Sequence, residues 1–505
     1  MLIEPSENVF ADRYEHGEAQ VVWTTLVADL ETPVSAYLKL GDGKAMSFLL
    51  ESVEGGEARG RYSIIGLAPD LVWRANGGKA DINRNARNKP NAFAPLDEPP
   101  LEALRALIEE SRIALPDALP PMAAGVFGYL GYDMVRLMEE LPPPNPDPIG
   151  IPDAVMLRPT LIVVFDAVKD EIRVVTPVRP EKNVDAATAL RRATERLAQV
   201  VDALDKPLDK SLAKVDDGPL DVPMHSNTTA EEYKTMVLAG KEYIAAGDAF
   251  QIVLAQRFEA PFALPPFSLY RALRRTNPSP YLFFLDFGGF AVAGSSPEIL
   301  VKVTGDVVTI RPIAGTRPRG ASPHEDKALE EDLLADEKER AEHLMLLDLG
   351  RNDVGRVARI GTVNVTDQFY IERFSHVMHI VSNVEGVLDE KYDALDALIG
   401  GFPAGTVSGA PKVRAMEIID ELEKEKRGLY AGCVGYFSAA GDMDTCIVLR
   451  TALIKDGKMY VQAGAGIVAD SNPDAEQQEC INKAKALFRA AEEARRFASA
   501  AKRGQ

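Results

Sequence analysis

Cysteine is scarce: Cys433, Cys446 and Cys480 are the only three in 505 residues, widely spaced and without a CxxC pair. That excludes a disulfide scaffold and a cysteine-built zinc site, and makes reduced thiols in a cytoplasmic protein the expectation. No apolar run approaches the eighteen or so residues of a membrane span. The opening stretch, MLIEPSENVFADRYEHGEAQ, has neither a basic start nor an apolar core, so no signal peptide is expected. Positive charge is also in deficit. Lys and Arg number 57 against 76 Asp and Glu, a net charge of −19, which argues against a nucleic-acid binder but is compatible with a local basic pocket for an acidic metabolite. Internal repeats and low-complexity tracts are missing, which sets aside solenoids and arrays.

What is present is the composition of an ordinary globular enzyme, 46% hydrophobic and 26% charged, long enough for two or more domains. Residues 1–205 open with short apolar runs (VVWTTLV, AMSFLLES, TLIVVFDAV) broken by Gly and Pro, which read as strands and turns with few helices. A proline-rich crossing, LPPPNPDPIGIPD, follows at 141–153, and 184–204 reads as a helix. Residues 206–227, rich in Asp, Lys and Pro without periodicity, read as a linker. The third region, 228–505, opens on a helix: Thr228 with Glu231 fits a capping box, Tyr233, Met236, Val237, Tyr243 and Ile244 make the stripe, and Gly247 can end it. DAFQIVLAQRFEA alternates as a strand, with Phe250, Ile252 and Leu254 on one side. Further strands (YLFFLDF, FAVAGSS, ILVKVTG, DVVTIRPI, GCVGYFSAA, DTCIVLRTALI, KMYVQAGAGI) are separated by hairpin-like turns. The fold class is therefore α+β: antiparallel sheets packed against and flanked by long helices.

Two glutamate pairs carry the chemistry. Glu339 and Glu342 lie in DEKERAEHLMLLDLGRND, and Glu476 and Glu479 in ADSNPDAEQQECINKA. Residues three apart share a helix face, and the apolar turns after the first pair predict a buried helix. Carboxylates carried inward without a cation are costly, and acidic oxygens with no cysteine or histidine cluster suit Mg2+. Taken alone, either pair also fits a solvated surface.

Seven motifs in fixed order (GSSPEIL, RPIAGTRPRG, AEHLMLLDLGRNDVGRV, SHVMHIVS, PAGTVSGAPKVRAMEII, DTCIVLRTA and VQAGAGIVADS) resemble the chorismate-utilising enzymes, and most closely the branch that makes anthranilate. LLESVEGGEARGRYSIIG extends the resemblance into the N-terminal region. The resemblance implies that chorismate and ammonia give 2-amino-2-deoxyisochorismate, then anthranilate and pyruvate, with Mg2+ required. By the same resemblance, Glu342 and Glu479 bind Mg2+, with Glu339 and Glu476 beside them directly or through water. Arg450 grips the pyruvyl carboxylate with Tyr430 supplying a phenol, Gly464, Ala465 and Gly466 bring backbone to the substrate, and Lys483 reaches the ring carboxylate. Lys483 also stands at ion-pair spacing from Glu479.

Glu298 is the candidate general acid for the C4 hydroxyl, because hydroxide is a poor leaving group and burial keeps a carboxyl protonated. His379 is implied in pyruvate elimination, orienting or protonating the substrate, while His376 one turn earlier reads as a core histidine. Thr316 and Thr406 offer donors near the ring, although TVSGAPK also fits a helix start capped by Ser408 with Pro411 in its first turn. GAGIVAD lacks the spacing of a dinucleotide loop. Two positions separate branches. Relatives that add water carry Lys where Gln251 stands, and those making 4-amino-4-deoxychorismate carry Lys where Ala314 stands; ammonia needs no such base. No cysteine sits in a nucleophile elbow, which implies a separate glutamine amidotransferase subunit; the resemblance implies a heterotetramer of two of each chain. Glu51, Ser52, Asn277, Pro280, Tyr281 and Cys446 resemble a tryptophan pocket for feedback inhibition, with Arg61 as a further contributor. A non-catalytic acidic scaffold is the rival from another class.

Overall fold

A computed structural model describes residues 1–54, 58–208, 223–374 and 377–498. Most of the expected linker, and His376, lie outside the described residues. The architecture is α+β, with strands joined into one antiparallel network of 22 among the described residues. Strands cross between the two regions on either side of the linker. Ser47–Glu54 lies against Tyr281–Asp286, setting Ser52 opposite Tyr281 and Glu51 opposite Leu282. Gly125–Leu130 lies against Cys433–Ser438. One apolar cluster accordingly mixes Phe10, Tyr37, Leu49 and Leu197 with Phe284, Val461 and Leu487. No helix among the described residues is long and apolar enough to cross a membrane.

Several local expectations shift. The capping box after the linker is built one residue later, with Thr229 and Glu232 bonding reciprocally at the start of the helix Ala230–Ala246, because Thr228 is buried and spends its hydroxyl on Asn227. Gly247 ends that helix in the left-handed conformation, φ 88°, as expected for a residue without Cβ. Phe250 does not join the inward face of the next strand. It is 71% exposed, because the strand Gln251–Pro261 begins after it. Within that strand both faces are buried, so alternation fades. Ser408 does not cap the helix Lys412–Leu422; Pro411 takes the cap position, and the Ser408 hydroxyl donates back to Ala404 O.

The helix Glu337–Gly355 starts where Asp336 accepts from the N–H groups of Lys338 and Glu339. It is not buried all round: His343, Leu346 and Leu347 face inward, but Leu344 is exposed. The helix Pro473–Glu493 is capped by Asn472 and buries Cys480, Ala484 and Leu487. Both helices therefore keep their glutamates on partly solvated faces.

Candidate active site

The strand Gln251–Pro261 is the spine of the site. Its pairing with Lys458–Ile467 sets Val253 opposite Gly466, Leu254 opposite Ala465 and Ala255 opposite Gly464. At its start Gln251 pairs with Ala410 on the other edge. Gly464 has no room for a side chain: a Cβ there would stand 2.9 Å from both Leu254 O and the Tyr430 phenol oxygen. Tyr430 is buried against the Gly464 backbone, and burial raises its phenol well above the usual range. Lys483 Nζ donates to Gly464 O at 2.9 Å and to Glu479 at 2.7 Å, so both readings of this lysine, ion pair and site residue, coexist in one geometry.

Glu298 sits between the strands Ala291–Ser296 and Ile299–Thr304, 7% exposed. The Thr406 hydroxyl reaches its two oxygens at 3.1 and 3.2 Å. Burial pushes this carboxyl up to about 8, with the Thr406 hydroxyl and the Ile313 backbone pulling it down less strongly. At neutral pH it holds its proton. A cavity lined by Glu298, Thr406, Pro312, Leu346 and Asp353 adjoins it.

The strand Ile313–Pro318 continues from that Ile313 backbone contact to Ala314, which is buried, and to Gly315 and Thr316. His379 is nearly buried, its Nδ1 2.8 Å from Gly315 O and 3.1 Å from the Thr316 hydroxyl. Since a carbonyl only accepts, Nδ1 carries the hydrogen and Nε2 keeps its lone pair. Burial above all, helped by the charges of Arg450 and Lys483 and opposed by the hydrogen bond to Gly315, lowers this imidazole to about 4. The ring is neutral at pH 7.

Arg450 has φ 47°, in the left-handed region, between the strands Met443–Ile447 and Thr451–Lys455. Its side chain makes no hydrogen bond or ion pair among the described residues, and burial lowers its guanidinium. An unpaired, desolvated cation in a chain with a surplus of acids is a place prepared for an anion.

The four glutamates converge. The charge of Glu479 acts on Glu339, Glu342 and Glu476, and all three are raised, first by burial. Gln251 Nε2 donates to Glu342 at 3.3 Å, and a Cβ on Gly315 would stand 3.1 Å from Glu339 Oε2, which joins the acidic helices to the spine and to the His379 strand. Among the described residues, no three histidine, cysteine, aspartate or glutamate side chains stand close enough to hold an ion as they are placed. Two of them have cationic neighbours: Lys483 pairs with Glu479, and Arg317 stands 3.8 Å from Glu339. The donor chemistry fits a hard divalent cation, being carboxylate oxygen only and carrying excess negative charge.

Away from this site, Glu51 is buried and its oxygens are taken by Tyr270 and bidentately by Arg274, at 2.7 and 2.9 Å. The Ser52 hydroxyl donates to Tyr62 O, Tyr281 donates to Asp444, and Asn277 Nδ2 is buried without a partner. Cys446 is buried on the strand neighbouring Ile299. Pro280 directly precedes the Tyr281 strand. Arg61 is committed to Asp166. Sequence reasoning missed Glu423 and Arg427, which lie in the charge run ELEKEKRG and read as solvated surface; both are buried, at 6% and 4% exposure. Their i,i+4 spacing just before Gly428 was the only signal.

Comparison with known proteins places this geometry. Residues 25–489 match the family model of chorismate binding enzymes. The chain is 58% identical to anthranilate synthase component 1 of Cereibacter sphaeroides, over 98% of this chain and 99% of the relative, and 48% identical to that of Pseudomonas putida over 92% and 93%. Anthranilate synthase component I from Streptococcus pneumoniae superposes with a TM-score of 0.75 at 40% identity, covering 92% of this chain and 98% of that one. A menaquinone-specific isochorismate synthase from Escherichia coli shares the fold at 20% identity, with a TM-score of 0.70 and coverage of 96% and 100%. With a family model spanning residues 25–489 and relatives matched over nearly their whole length, the chain belongs to the chorismate binding enzyme family.

Proposed function

We propose that this chain is the chorismate-aminating component of an anthranilate synthase. The observation that supports the reading is the buried Glu298 carboxyl held by the Thr406 hydroxyl at 3.1 and 3.2 Å, together with Arg450, which has no side-chain partner among the described residues and whose charge acts on His379. Chorismate needs both groups: an anion grip for its carboxylates and an acid to turn its C4 hydroxyl into water.

In this reading Arg450 holds the pyruvyl carboxylate through its planar fork, with Tyr430 beside it. Lys483 and the Gly464–Gly466 backbone meet the ring carboxylate. Ammonia forms the new bond at C2, the ring double bonds shift, and the C4 oxygen leaves as water with the Glu298 proton. Thr406 aims that carboxyl. Loss of the C2 proton and of the enolpyruvyl group then gives anthranilate and pyruvate. A neutral His379 cannot protonate the substrate, so its part is to orient it or to accept a proton at Nε2. Glu342 and Glu479, with Glu339 and Glu476 beside them, are the residues that would hold Mg2+; the cation would supply positive charge at the ring carboxylate. Gln251 in place of a basic residue disfavours water as the nucleophile, and Ala314 removes the lysine that the 4-amino-4-deoxychorismate route requires. Ammonia delivery falls to a separate glutamine amidotransferase subunit, in a heterotetramer of two of each chain, and the pocket around Ser52, Asn277 and Tyr281 is the place for tryptophan as feedback inhibitor.

Incubation with chorismate, ammonia and Mg2+ tests the reaction: anthranilate fluorescence is expected, whereas accumulation of 4-amino-4-deoxychorismate, or no product, rejects it. The metal assignment has its own test. Glu479→Gln should weaken Mg2+ binding roughly 10–100-fold, read by calorimetric titration of the free protein, because one carboxylate of the set is lost. Thermal stability should hold, since Glu479 is exposed. An unchanged titration removes Glu479 from the ligand set.

A further inference from the structure

The strand Gln251–Pro261 has an unequal pair of edges. One is fully paired to Lys458–Ile467. The other carries Gly409–Ala410 at its start and His225–Ser226 near its end, leaving Val253 to Arg257 without a strand neighbour there among the described residues. Buried backbone groups in such a gap must be paired by something else.

Glu423 and Arg427 fill it. Ala255 N–H donates to Glu423 Oε1 at 2.8 Å, and Arg427 Nη2 donates to Val253 O at 2.7 Å. The two side chains are bonded to each other twice, at 2.9 and 2.5 Å. Arg427 Nη1 then reaches Val407 O at 2.7 Å, in the turn Gly405–Val407 that carries Thr406. Val253 N–H donates to Ser408 O at 2.9 Å just beyond that turn. The guanidinium also lies over the rings of Tyr132 and Tyr430, at 4.8 and 5.6 Å. Every face of this buried ion pair is therefore occupied by a group that touches the site or the strand beneath it.

We propose that Glu423 and Arg427 are positioning residues that act as a surrogate strand, locking the Thr406 turn to the Gln251 strand so that the Thr406 hydroxyl aims the Glu298 carboxyl. The geometry assigns the pair a task that burial alone does not need. A buried ion pair is commonly no more stable than an apolar replacement, whereas a planar fork joining two backbone carbonyls fixes the distance between them. This inference rests on Glu298 being the general acid of the proposed reaction.

The test is the alkaline limb of the kcat profile, because an acid that must hold its proton loses activity as pH rises through its titration near 8. The groups facing Glu298 are the Thr406 hydroxyl and the Ile313 backbone; across the adjoining cavity Asp353 is neutralised by Lys412 at 2.9 Å. Thr406 pulls the carboxyl downward, so losing its aim moves the limb to higher pH. Thr406→Val sets the size of that shift directly. Arg427→Lys and Glu423→Gln should reproduce it, with kcat about tenfold lower and KM for chorismate within about twofold, and Thr406→Val combined with Arg427→Lys should add nothing further. A limb that stays in place in both soluble variants, or an additive double variant, overturns the proposal, as does failure of both variants to fold, which would make the pair a folding element. A limb that persists in Glu298→Gln instead removes the underlying reading of Glu298, and so separates the two failures.

Discussion

Glu298→Gln should abolish turnover and yet yield a protein more stable than its parent at neutral and alkaline pH. Glutamine imitates the protonated acid in shape and hydrogen bonding but cannot give a proton away, and loss of a positioned acid costs about 10²–10⁴ in rate. The stability effect follows from linkage. Below the ordinary carboxyl value of 4.5, folded and unfolded chains both hold the proton, and the two proteins should differ little. Between there and about 8 the folded state keeps a proton that the unfolded state has released. Stability of the parent therefore falls with pH relative to the variant, by up to roughly 1.4 kcal/mol per pH unit. Above that window the difference levels off at roughly 5 kcal/mol. Urea unfolding at several pH values reads it. A variant equally or less stable across the whole range would show that Glu298 is not a carboxyl that burial keeps protonated.

The same residue shows how far the sequence could be read. Glu298 was legible because its motif is local: a carboxyl amid Ser-Ser-Pro and apolar residues is marked for burial whatever the tertiary fold. The helical placement of the glutamate pairs was legible for the same reason, since each pair stands at i,i+3 on a single helix. What failed was whatever depended on a neighbour distant in the chain. Leu344 reads as core but is exposed, because only one side of its helix meets the sheet. Phe250 reads as the first inward residue of a strand, but pairing begins one position later. Glu423 and Arg427 read as solvent-facing charge, and only the gap between two short strands brings them inside. Pairing of Ser47–Glu54 with Tyr281–Asp286 across the linker is likewise invisible to any local pattern.

Arg450→Met should cost substrate recognition and little else. Arg427 and Arg450 make the contrast. Arg427 spends its fork on a carboxylate and two carbonyls, so its charge is answered within the chain. Arg450 has no such partner among the described residues and is lowered by burial alone. A desolvated cation with nothing to bind is a cost in the free protein, and methionine keeps a similar unbranched stem while removing the charge. Methionine is also the better probe than valine at this position, because a β-branched residue is strained at φ 47°. Thermal stability should hold or rise. Losing two charge-assisted hydrogen bonds to a carboxylate is worth about 3–5 kcal/mol, so kcat/KM for chorismate should fall roughly 10²–10⁴-fold. Arg450→Lys should recover part of the loss, since it restores charge without the fork. If the methionine protein instead unfolds early while its kcat/KM stays near that of the parent, Arg450 supports the fold rather than the substrate, and the anion grip must be sought elsewhere on the site floor.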